Sequence, residues 1–247
     1  MIQRRVIPCL LYHKSGIYKS QKFKKMTYIG DPINTIKIFN EKEVDELIFL
    51  DIDATTNGSD PNYKIIEDIA GECFMPLCYG GGIKNVNQMQ RIYQSGVEKI
   101  SLSSSAIHEK NFVSEAAKIF GSSSIVVTID VKKNIFGKYQ VFTNNGKINT
   151  KLELVNLIKK LEEEGAGELV INNIDKDGTM TGYDIDMLKL VKSKSNLPVI
   201  ALGGAGNINH LIDVFRFTNV DAVACGSMFI FQGPLRGVLI NYLSKAE

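Results

Sequence analysis

Short apolar runs recur along the chain, and most are followed by a stretch whose apolar and charged positions carry helical spacing. Arg5 to Leu11, Glu46 to Asp51, Pro76 to Tyr79, Lys99 to Ser103, Ile125 to Asp130, Glu168 to Asn172, Pro198 to Leu202 and Ala222 to Gly226 read as strands. Pro32 opens a helix running to about Asn40, Pro61 signals another over Asn62 to Glu72, and Lys151 to Glu164 is a charged amphipathic helix. Alternating βα units imply a parallel sheet, and eight of them in a chain of this length fit a closed (β/α)8 TIM barrel covering residues 1–247 as a single domain. Two connections stand out. His13 to Asp31 reads as a long loop with Lys14, Lys19, Lys22, Lys24 and Lys25, either a lid over the barrel mouth or a solvated basic loop. Tyr139 to Thr150, with Asn144-Asn145-Gly146 at its centre, reads as a small hairpin after strand five.

The halves repeat. PLCYGGGI from Pro76 and PVIALGGAG from Pro198 are both strands that run into glycines, about 122 residues apart. At the same interval Asp45 to Asp53 falls on Gly167 to Asp175, and Arg5 to Leu11 corresponds loosely to Ser124 to Asp130. A strand ending in glycines ahead of a helix lets backbone N–H groups approach a phosphate. Side chains alternate in and out along a strand. If Asp130 points inward, so do Thr128 and Val126. The matching sets are then Arg5, Ile7, Cys9 and Leu11; Glu46, Ile48 and Leu50; Lys99, Ser101 and Ser103; and Glu168, Val170 and Asn172. At the strand starts these sets place two cations and two anions at one level. They either pair as a ring or sit in a wet barrel floor.

Composition narrows the function. A net charge of +2 gives no case for nucleic acid as the main partner. Cys9, Cys73, Cys78 and Cys225 have neither metal nor redox spacing, so no metal and no cofactor is expected. No signal peptide or membrane-spanning run is apparent, and the expectation is a reduced, cytoplasmic protein. Asp51 and Asp53 end strand two, facing the mouth or capping the next turn; Asp175 and Asp177 share that ambiguity. His108 and His210 read as surface or helix-start residues, and Met228 and Phe229 as core or interface.

VIPCL, DELIFLDID, PLCYGGGI, VVTIDVKK, GAGELVINNIDKDGT, PVIALGGAG and the run ending at Gly226-Ser227 occur in an order and spacing that resembles the cyclase subunit of imidazole glycerol phosphate synthase, HisF, over essentially the whole chain. The resemblance implies a two-phosphate substrate held across the barrel mouth, by Gly82 and Ser104 on one side and by Asp177, Gly178, Gly204, Gly226 and Ser227 on the other. It implies a HisH-type glutaminase partner at the barrel bottom, whose ammonia passes a gate formed by Arg5, Glu46, Lys99 and Glu168 and moves up the interior. Asp130 matches a catalytic aspartate and Lys19 a lid lysine; together they are the expected catalytic residues.

The departure is at Leu11, where the family pattern reads the first catalytic aspartate; Ser103 likewise replaces an asparagine. Leucine moves no proton, and acid–base help is worth about 10²–10⁴-fold in rate. His13 has the same parity but begins the loop. An intact gate with a missing acid resembles the HisF-like paralogues called WbuZ, which implies an ammonia-delivering subunit for acetamidino-sugar synthesis beside a separate sugar amidotransferase. That reading ranks first on sequence. A genuine histidine-pathway cyclase that tolerates Leu11, and a non-catalytic activator of the glutaminase, are the alternatives.

Overall fold

The computed structural model describes residues 4–243. Eight parallel strands close on themselves: strand one Arg5–His13, two Leu47–Asp51, three Leu77–Gly80, four Lys99–Leu102, five Ile125–Lys133, six Glu168–Asn173, seven Val199–Leu202 and eight Ala222–Cys225. Each pairs with its sequence neighbours, and strand eight pairs with strand one through Arg5 opposite Ala222. This is the expected TIM barrel. The alternation along each strand splits the buried residues into two sets. One packs outward under the helices, including Phe49, Tyr79, Ile100, Ile171 and Val223. The other fills the barrel: Ile7, Cys9, Ile48, Cys78, Val126, Val170, Ile200, Leu202, Ala222 and Ala224. Every interior member on strands one, two, five and six belongs to the inward sets that period-two alternation predicts.

Helices Pro32–Glu41, Tyr63–Glu72, Val86–Gln94, Phe112–Phe120, Leu154–Glu163, Ile185–Lys192 and Ile208–Thr218 cover the sheet. The fifth of these starts three residues later than the charge pattern suggests, because Lys151 to Glu153 pair in a strand. After strand eight the described residues hold a short 3-10 turn at Ser227–Phe229 and a two-residue hairpin, not a long helix. Among the described residues no helix is long and apolar enough to cross a membrane.

The half-barrel repeat is visible in the geometry. Asn85 and Asn207 cap their helices in the same way, each side chain accepting from the N–H three residues on. Gly81 (φ 130°) lies against the carbonyl of Asp51, and Gly203 (φ 93°) against that of Asn173. A Cβ at Gly81 would stand 2.3 Å from that carbonyl oxygen, at a φ that side chains rarely adopt. Gly81→Ala is therefore expected to destabilise the barrel by about 2–4 kcal/mol in urea unfolding, since backbone must move on both sides.

The His13–Asp31 segment is not a loop. Strand one continues to His13, turns at Lys14-Ser15 and is followed by an antiparallel pair, Gly16–Gln21 and Lys25–Gly30. The first arm pairs with strand one, Leu11 opposite Tyr18, so this hairpin extends the barrel wall upward at its mouth. The second hairpin, Tyr139–Thr143 with Ile148–Glu153, rises from strand five as expected.

Candidate active site

At the floor, the inward side chains of the strand starts meet. Arg5 Nη1 lies 2.5 Å from Glu46 Oε2, and Arg5 Nη2 also bonds Glu168 Oε1. Lys99 Nζ lies 2.9 Å from Glu46 and 3.1 Å from Glu168, which closes a four-membered ring of alternating sign. The carboxylates are almost withdrawn from water, at 4% and 7% exposure, while Arg5 and Lys99 keep 27% and 22%. Burial works against both cations, but the two carboxylates outweigh it and hold each above its ordinary value. The wet-floor alternative is thereby set aside: these four charges are paired. Above them the apolar interior set gives way to a hydroxyl pair, Ser101 and Thr128, 2.7 Å apart and buried.

The mouth is a cavity of about 850 Å³. Asp130 enters it from strand five and accepts a 2.9 Å bond from Asn172 Nδ2 on strand six. Burial pushes the Asp130 carboxyl up to about 7, the Asn172 bond pulls against this, and Asp177 adds repulsion. Asn172 Oδ1 is buried without a hydrogen-bond partner at the same level. Leu11 and Leu50 are adjacent in register and line the cavity from strands one and two. They form an apolar patch there, whereas Ser101, Thr128, Asp130 and Asn172 make the wall polar at strands four to six.

The seven residues expected to hold phosphates all line this one cavity. Gly82 and Ser104 follow strands three and four, and Gly204, Gly226 and Ser227 follow strands seven and eight. Asp177 lines the cavity and also holds the first hairpin. Its carboxylate accepts from Ser20 Oγ at 2.6 Å and Phe23 N at 3.4 Å, and its carbonyl accepts from Lys22 N, so it pins the first hairpin down. Lys19, on that hairpin, is folded inward with 4% exposure; Nζ donates to the Cys9 carbonyl and abuts Gly226. Burial lowers its pKa, with Cys9, Asp177 and Cys225 acting in the other direction.

The two aspartates after strand two separate into different roles. Asp51 Oδ1 caps the next turn, accepting from Asp53 N at 3.0 Å and Ala54 N at 3.1 Å. Asp53 instead reaches His13, with Oδ1 2.6 Å from Nδ1. The sequence shows both residues but not their pairing, which depends on Tyr12 lying opposite Asp51 in the strand register. His108 also borders the cavity, its Nε2 3.2 Å from Thr143 Oγ1. His210 sits in the first turn of its helix, where Nδ1 accepts from Gly206 N. Phe229 is core against Tyr242, with Met228 partly buried beside it. All four cysteines are free, and among the described residues no cluster of His, Cys, Asp and Glu could hold a metal.

Comparison with known proteins gives a consistent likeness. The family described as Histidine biosynthesis protein matches residues 5–235. A Pseudomonas aeruginosa protein provisionally named imidazole glycerol phosphate synthase subunit hisF2 is 49% identical over 98% of this chain and 96% of its own. A Vibrio vulnificus protein provisionally named subunit hisF3 is 46% identical over the whole chain and 95% of its own. The imidazole glycerol phosphate synthase subunit HisF of Bacillus cereus is 37% identical over the whole chain and 98% of its own.

Proposed function

Since the chain belongs to the histidine biosynthesis protein family, as a HisF-type member, we propose that it is the barrel subunit of a glutamine-dependent synthase of the imidazole glycerol phosphate synthase type. In this reading a HisH-type glutaminase docks on the barrel floor and releases ammonia into it. The nitrogen passes the ring of Arg5, Glu46, Lys99 and Glu168, crosses the apolar interior and meets a phosphorylated acceptor in the mouth. Neutral ammonia suits that interior, where an ammonium ion would be costly. Ser101, Thr128 and the unpartnered Asn172 Oδ1 offer it polar contacts on arrival. Asp130, with a carboxyl that titrates near neutrality, serves as acid and base at the acceptor. The backbone of the glycine-ended strands receives the phosphates.

The observation that carries this reading is the closed charge ring. Two nearly buried carboxylates and two cations cost desolvation that apolar side chains would not, so stability alone gives no reason for them. A gated entrance does. The test is turnover of the histidine-pathway bisphosphate with ammonium salts, and with glutamine once a HisH-type glutaminase is added. Turnover in the unmodified protein is expected, and Leu11→Asp is expected to raise it about tenfold by adding an acid at the end of strand one.

One observation favours a second reading. Leu11 beside Leu50 makes an apolar wall where the family pattern has an acid, which suits a different nitrogen acceptor, such as the acetamido group of a surface-polysaccharide sugar handled with a separate amidotransferase. The names of the relatives favour the histidine-pathway acceptor over this one. Bisphosphate turnover that appears only in Leu11→Asp would reverse that order.

A further inference from the structure

His13 ends strand one with its ring bordering the mouth cavity. Its Nδ1 is 2.6 Å from Asp53 Oδ1, and both side chains are largely shielded, at 18% and 30% exposure. Asp53 is itself held in place. Its Oδ2 accepts from the Lys14 N–H at 2.9 Å, and its own N–H is bound by Asp51. Tyr18 meets the imidazole edge-on, with ring centres 4.9 Å apart. Nε2 has no protein partner among the described residues. A carboxylate on one ring nitrogen selects the neutral tautomer with the proton on Nδ1 and leaves the Nε2 lone pair available. This is the arrangement of an oriented acid–base histidine, with a third group fixing the base.

We propose that His13, oriented by Asp53, is the proton-transferring group on the strand-one side of the mouth, filling the role that Leu11 two residues earlier cannot. The inference rests on the chain being an ammonia-using synthase subunit. As ammonia attacks an acceptor carbonyl carbon, the C–N bond forms and the carbonyl π pair moves to oxygen. Nε2 takes a proton from the attacking nitrogen. The imidazolium, its charge balanced by Asp53, returns that proton to the oxygen; a second proton then passes from nitrogen to that oxygen, and the C–O bond breaks to release water as the nitrogen lone pair forms the C=N bond. The titratable and charged groups facing the ring are Asp53, the buried Asp51 behind it, Lys14 next in the chain and Tyr18 from the hairpin. Asp53 is a positioning residue, and Asp130 serves the opposite side of the mouth.

Two measurements decide the matter. In nitrogen-15 NMR of histidine-labelled protein, His13 is expected as the Nδ1–H tautomer, with an Nε2 resonance that moves when inorganic phosphate is added. Asp53→Asn is expected to remove the tautomer preference. In ammonium-dependent turnover of the bisphosphate, His13→Gln is expected to lower kcat by about 10²–10⁴-fold with little change in KM, and to change the pH profile to one that Asp130 alone sets. Leu11→Asp placed in the His13→Gln background is expected to recover part of the loss. An Nε2–H tautomer, a resonance blind to phosphate, or an unchanged pH profile in His13→Gln overturns the proposal. The NMR arm needs no acceptor. A phosphate-responsive Nδ1–H tautomer in a protein that ignores the bisphosphate therefore supports the dyad and overturns the choice of acceptor.

Discussion

Asp130→Asn is expected to make the protein more stable above pH 7 and to disable it. The Asp130 carboxyl is pushed up to about 7 from an ordinary 3.8, mainly by burial. The folded state therefore binds a proton more tightly than the unfolded chain does. Stability falls as pH rises from about 4 to 7 and stays low above, a penalty on the order of 4 kcal/mol for a shift of this size. Asparagine cannot ionise, and its carbonyl can still accept from Asn172. The variant should gain about 2–4 kcal/mol at pH 8 and almost nothing below pH 4, read by urea unfolding at both pH values. The same substitution should lower ammonium-dependent turnover by about 10²–10⁴-fold, because the group is lost as acid and base. A stabilised variant that keeps full activity in the complete glutaminase complex would point to the non-catalytic activator.

Lys99→Met is expected to destabilise the barrel floor strongly. Glu46 and Glu168 would then share Arg5 alone while remaining almost dry. Removing one partner of a buried ion pair typically costs about 3–5 kcal/mol; the 22% exposure of Lys99 places the expected loss nearer 2–4 kcal/mol. Chemical denaturation at pH 7 measures it. A Lys99→Met, Glu46→Leu double variant should recover much of the loss, because it removes a cation and an anion together and leaves Arg5 with Glu168. The wild-type ring also has a pH signature. Lys99 is held above its usual 10.5, so its contribution is complete below that pH and disappears as the pH climbs through the raised value. Loss of the ring should also uncouple glutamine hydrolysis from turnover at the mouth while ammonium-driven turnover persists.

The interior set was legible because alternation along a strand is a local property: given Asp130 pointing inward, Thr128 and Val126 follow by counting, whereas the pairing of the four strand-start charges was not decided by alternation. The second hairpin was legible because Asn144, Asn145 and Gly146 advertise the left-handed backbone they adopt, with φ of 54°, 54° and 72°. The first hairpin hides for the opposite reason. Its turns place Lys14-Ser15 and Lys22-Phe23 at φ between 45° and 62°, where neither glycine nor asparagine marks the bend. Pairing with strand one supports the first turn from outside the segment, and the Tyr18–Tyr28 contact between the two arms supports the second. The His13–Asp53 pair was hidden by distance along the chain, since only the register of strands one and two brings it together. The second task of Asp177 was hidden for the same reason: its carboxylate accepts from Ser20 and Phe23, which lie more than 150 residues earlier in the chain.

The matched backing of Gly81 by Asp51 and of Gly203 by Asn173 gives the opening a near-twofold symmetry. A molecule with the same group at each end could settle into such a rim in either direction. Head and tail are distinguished by corresponding positions that differ between the halves, Leu11 on one side and Asp130 on the other. Substitutions there should act as polarity settings, deciding which end of the guest meets the incoming nitrogen.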